Sequence, residues 1–75
     1  MNDKQVALAA CDSVQTDRVT KAAGVFMDAF FMAEGSPNAD ALRKECGERF
    51  KTSLRVYKEA HDSSRTLLGE AFPGA

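Results

Sequence analysis

The side chains able to do chemistry in this chain are few: Cys11, Cys46, the single histidine His61, and the carboxylates Asp12 and Asp62 next to them in sequence. A thiol beside an imidazole is the minimum for an activated nucleophile, and it is also half of a zinc site. Either chemistry needs more than the chain supplies. No further Cys or His completes four ligands, and no glycine-rich loop offers an oxyanion hole. Glu59-Ala60-His61 lacks the Glu-x-x-His spacing of carboxylate-bridged metal bundles. The expectation is no catalytic residue, no metal, no cofactor and no small-molecule substrate.

Whether those groups even meet depends on the elements that carry them. Runs of Val, Ile and Thr are missing, no alternating apolar pattern occurs, and proline stands only at positions 37 and 73. The chain therefore reads as helix, interrupted once. Gly35 suits the residue just past a helix end, where the backbone turns left-handed. Ser36 can cap a following helix, with Pro37 at its first position and Asp40 in its first turn. Asn2 or Asp3 can cap the first helix, and Phe72-Pro73-Gly74 can stop the second. The predicted fold is all-α: one domain over 1–75, with a helix from about 3 to 34, a turn at 35–36 and a helix from about 37 to 71. So short a connection makes the helices antiparallel neighbours, each roughly 50 Å long. An alternative breaks the first helix near residues 12–16, where Asp12-x-x-Gln15 resembles a capping box.

In a hairpin centred between residues 35 and 36, position i faces about 71 − i. Cys46 then lies near Val25, and Cys11 near Ala60 and His61. The thiols are roughly 20 Å apart along the axis, too far for a disulfide. Both read as small buried hydrophobes, and His61 as a residue on the flank of its helix.

At 100° per residue the second helix gives a clean wheel. Leu42, Cys46, Phe50, Ser53, Tyr57, Ala60, Ser64, Leu68 and Ala71 form one stripe. Lys44, Lys51, Arg55, Lys58 and Arg65 line one flank, and Glu45, Glu48, Glu59 and Glu70 lie further round. Helix 1 is less regular. Ala7, Cys11, Val14, Ala22, Val25, Ala29 and Met32 share a face, widened by Leu8 and Phe26, with Gln15 and Arg18 intruding on it.

That wheel leaves a surplus. Phe26, Met27, Phe30, Phe31 and Met32 crowd the end of helix 1, and one face cannot hold them all. Met27 and Phe31 fall opposite the seam, where they meet water or a partner. An exposed Phe and Met one turn apart make a contact patch, so these five residues are the candidate partner-binding site. Size points the same way. Seventy-five residues rich in alanine sit near the lower limit for a self-sufficient core. Pairing of two hairpins into a four-helix bundle, a homodimer, is the economical remedy.

Charge excludes little and suggests one alternative. Ten basic against eleven acidic residues give a net charge of −1, so nothing global draws the chain to nucleic acid or an acidic membrane. Between Arg43 and Lys58, however, six basic residues face two acidic ones. Lys44, Lys51, Arg55, Lys58 and Arg65 are therefore a candidate polyanion-binding flank. Its simpler reading is a solvated face with intrahelical pairs such as Asp40–Lys44 and Glu45–Arg49. The start, MNDKQVALAACDS, lacks the basic and long apolar segments of a secretory signal, and no run is long enough to span a membrane. A cytoplasmic protein is expected.

The outline also resembles the needle subunits of type III secretion systems. Pro37-Asn38 stands where their turn would, and Tyr57-Lys58-Glu59-Ala60 resembles a Tyr-Arg-Asn-Ala stretch on their second helix. The resemblance covers about twenty residues, with its turn out of register, and it implies polymerisation through both helices. The functional expectation is a non-enzymatic protein–protein interaction module: an adaptor, regulator or chaperone-like subunit. A nucleic-acid-associated regulator and a self-assembling secretion-system subunit are the alternatives.

Overall fold

The computed structural model describes residues 2–74. It holds two helices, α1 (Asp3–Met32, 30 residues) and α2 (Ala39–Ala71, 33 residues), packed side by side as an antiparallel hairpin. No strand occurs among the described residues.

The start of α1 is set by a reciprocal cap. The Asn2 side chain accepts the Gln5 N–H at 2.9 Å, and the Gln5 side chain accepts the Asn2 N–H at 3.0 Å. Two backbone donors that a helix start leaves without partners are thereby satisfied, and Asp3 sits in the first turn, where the helix dipole favours an acid. The alternative break at residues 12–16 does not occur. The Asp12 carboxylate is drawn across to α2 instead of capping Gln15, and the Thr16 hydroxyl donates back to the Asp12 carbonyl at 3.1 Å, so α1 runs through.

The connection is longer than the sequence suggests, spanning residues 33–38. The Ser36 N–H closes a turn on the Ala33 carbonyl at 3.1 Å, with Gly35 at a φ of 84°. That left-handed conformation is open to glycine at no steric cost. A second turn follows, closed by the Ala39 N–H on the Ser36 carbonyl at 3.2 Å. Pro37 lies inside that turn and not in the helix. Asn38, at φ −116° and ψ 37°, takes the capping position without a side-chain cap bond. The expected Ser36 cap and Pro37 helix start are therefore each displaced by two residues. The later start shifts the register: Asp12 meets His61 and Phe26 meets Phe50, two to five residues further along α2 than a turn at 35–36 would place them.

The seam is held by aromatic stacking. Phe26 lies on Phe50 with ring centroids 4.9 Å apart and planes 10° from parallel, and Phe30 tilts against Phe26 at 5.7 Å. Turning Phe26 into the seam rotates α1 relative to the expected wheel. Gln15, Val19, Phe26 and Ala33 now approach α2, while Val14, Val25 and Met32 are 53%, 70% and 79% exposed. On α2 the expected stripe is half-buried apart from Ala60 and Ala71, and Leu54 and His61 join it.

Two helices in one layer make a thin slab, with Cα extents of 58 × 18 × 8 Å. Among the described residues only Ala33 is buried. The accessible surface is 5648 Å². A compact monomer of 8.1 kDa exposes about 4,500 Å², so this protomer carries a surplus of about 1,100 Å². No described helix is long and apolar enough to cross a membrane.

Candidate interaction surfaces

The five hydrophobic residues at the end of α1 are divided by the helix. Phe26 is in the seam and half-buried. Met27, Phe30 and Phe31, 66%, 41% and 73% exposed, lie on one side of the slab. Together with Phe26, Glu34 and Arg43 they line a shallow depression beside the turn. Arg43 closes its inner edge: the guanidinium carbon stands 4.3 Å above the centre of the Phe30 ring, and Nε donates to the Phe30 carbonyl at 3.4 Å. A guanidinium over a ring face is attracted by the ring's electron density. This contact ties the start of α2 to the end of α1 at Phe30. Phe31 projects outward beside it, 73% exposed. Met32 falls on the opposite side.

That opposite side carries two open grooves along the interhelical line. The one nearer the turn is lined by Ala22, Val25, Ala29, Cys46, Phe50 and Tyr57 among others, and encloses about 320 Å³. The other is lined by Cys11, Val14, Tyr57, Ala60 and Ser64 among others, with about 360 Å³. They share Tyr57 and follow one another on the same face. At 100° per residue, the exposed Val14, Val25 and Met32 form the α1 rim of this face. Val56 and Leu67, 47% and 61% exposed, form its α2 rim. The sequence wheel puts Val14, Val25 and Met32 on one face, as observed, but in the seam, whereas they are 53%, 70% and 79% exposed. In a single layer, the stripes of both helices tilt toward the same side and leave it open.

Cys11 and Cys46 are free thiols, each half-buried, one in each groove. Cys11 shares its groove with His61, yet the imidazole is engaged elsewhere. His61 Nε2 lies 2.7 Å from Asp12 Oδ1, and Arg65 Nη1 donates to the same oxygen at 3.3 Å. The Ser64 hydroxyl donates to the His61 carbonyl at 2.7 Å. The hydrogen bond from His61, with Arg65 adding its charge, holds the Asp12 carboxyl below its ordinary value. With its side chain 21% exposed, His61 belongs to the seam and not to the flank. This is a polar clamp between the helices, far from the turn. No group of three or more metal-ligating side chains occurs among the described residues.

The basic flank of α2 is largely paired along its own helix. Lys51 bonds Glu48 at 3.2 Å, Arg55 bonds Glu59 at 3.6 Å and Lys58 bonds Asp62 at 2.7 Å, while Arg65 serves the Asp12 clamp. Glu45 takes Arg49 at 2.5 Å, as its spacing suggested, whereas the expected Asp40–Lys44 pair is not formed. The Lys58–Asp62 hydrogen bond raises the lysine pKa and lowers the aspartate's. All these side chains are more than half exposed apart from Arg65, at 49%, and solvent screening leaves such pairs little part in stability. They do, however, neutralise the stripe that a polyanion would need.

Comparison with family models, with curated proteins and with solved structures finds no match for this chain. The functional reading therefore rests on the chain's own geometry.

Proposed function

We propose that this protein is a small non-enzymatic interaction module, an adaptor, regulator or chaperone-like subunit, that pairs into a four-helix bundle and acts by contact. The observation that carries the proposal is an imbalance. Among the described residues only Ala33 is buried, while Met27, Phe31 and Met32 are each about two-thirds exposed or more. A chain that folded to stand alone would reverse that proportion. The patch of Met27, Phe30 and Phe31 beside the turn is the contact surface for a protein partner, while Met32 lies on the other side of the same helix end. Aromatic and methionine side chains there supply large apolar area.

The nucleic-acid reading is weaker because acidic neighbours occupy Lys51, Arg55 and Lys58, and no exposed aromatic stands among them for base stacking. Catalysis is weaker still, since His61 is committed to Asp12. Sedimentation equilibrium of the wild-type chain at tens of micromolar tests the pairing. The expected mass is twice 8.1 kDa. A cooperatively folded single chain at that concentration would contradict it.

A further inference from the structure

We infer that the grooved face is the surface on which a second copy of this chain packs, and that the Phe31 side of the slab stays outside the pair. The inference rests on the proposed pairing and names the surface that performs it. Of the large hydrophobic side chains more than 40% exposed, five lie on the rims of this one face: Val14, Val25, Met32, Val56 and Leu67. They run from one end of the rod to the other and flank both grooves. Met27, Phe30 and Phe31 lie on the other side near the turn, where Val6, 52% exposed, is the one further such residue, at the far end of α1.

The occupant is identified by area and by length. The face measures 58 × 18 Å, about 1,000 Å², against about 800 Å² per partner in a standard interface. The surplus of accessible surface over a compact monomer, about 1,100 Å², is of the same size. One helix laid in the grooves would leave a rim uncovered. A full layer of two helices as long as these is needed, and a second copy provides that layer with matching rims. A two-fold axis makes such a contact self-complementary and closed, so assembly stops at the pair. The lining also carries charge: Lys21 and Arg49 stand in the groove nearer the turn and Arg18 in the other, with Arg49 paired to Glu45, while Asp17 points away from the grooves at 100° per residue.

Two measurements test this. Val25→Arg together with Leu67→Arg adds charge to both rims, on a face that already carries the basic Arg18, Lys21 and Arg49, at positions 70% and 61% exposed in the protomer, so the seam itself is untouched. Buried and unpaired in the interface, they should raise the dissociation constant of the pair by roughly a hundredfold or more. Phe31→Asp, on the other side, should leave it within about threefold of wild type. If Phe31→Asp splits the pair and the double variant does not, the surface is wrongly assigned although pairing itself stands. A wild-type chain that sediments as a single protomer removes the pairing as well. The second measurement needs no variant. Cys11 and Cys46 line the two grooves, so their labelling by a maleimide should slow at least tenfold as the protein concentration rises through the dissociation constant. Labelling of both thiols at a rate independent of concentration, in a chain shown to be paired, would overturn the inference.

Discussion

Removing the Phe50 ring tests the seam most sharply. It is stacked on Phe26 at 4.9 Å and stands where α1 and α2 make their only aromatic contact across the described seam. A fully buried Phe→Ala change costs about 3–5 kcal/mol, and a stacked pair adds about 0.5–1.5 kcal/mol beyond area. Phe50 is only half-buried, so about half the transfer cost applies. Phe50→Ala should then destabilise the fold by about 2–4 kcal/mol. In a domain of this size that lowers the melting temperature by roughly 8–30 °C. Urea unfolding followed by circular dichroism at 222 nm, at fixed protein concentration, measures the loss directly. Phe26→Ala should cost nearly as much. The double variant should cost less than the sum, because the stack can be lost only once. A loss under about 0.5 kcal/mol for either single change would mean that the stacking does not hold the helices together.

Other outcomes follow from the same geometry. Asp12 has a lowered pKa in the folded chain, so its share of stability is fully present above the ordinary carboxylate value of 3.8 and is lost as the pH falls through the lower folded value. Acid titration should show that loss, and Asp12→Asn should weaken it, with Asp62 contributing a similar component through Lys58. Gly35→Ala forces a Cβ onto a φ of 84° with open space around it, which costs about 1–2 kcal/mol by strain alone and is measured by the same urea titration. Asn2→Ala removes the reciprocal cap and should cost about 1 kcal/mol, with amide exchange rising in the first turn. Nucleic acid should not be retained in a gel shift at physiological salt. Salt-sensitive retention abolished by Lys51→Glu with Arg55→Glu would favour the polyanion reading instead.

Much of the architecture is legible in the amino acids. The absence of alternating patterns, the Gly35–Pro37 interruption and the regular wheel of residues 42–68 fix two helices and their antiparallel order. The point at which α2 starts is less legible, because Ser36-Pro37 serves a cap and a tight turn equally well by local chemistry. Only the second hydrogen-bonded turn decides between them. The rotation of α1 was hidden for a different reason. Valines at 14 and 25 and the phenylalanine at 26 compete for the same seam, and the winner depends on Phe50 across it. The predicted register already brings residues 11 and 12 close to His61, but the Asp12–His61 bond and the part of Arg65 in it depend on the shift along α2. His61 was therefore expected on the flank. The exposure of Met27 and Phe31 needs only the helical period, whereas both thiols, expected to be buried, are half-buried in open grooves because a single layer leaves that side uncovered.

The account depends on the protomer being incomplete by itself, and the concentration dependence of thermal unfolding addresses that most directly. If folding and pairing are coupled, the melting temperature should climb by several degrees across a hundredfold rise in concentration, as mass action requires. The transition should also stay cooperative throughout. A sharp melt at one temperature, unmoved from one micromolar to one hundred, would show a lone hairpin that needs no second layer.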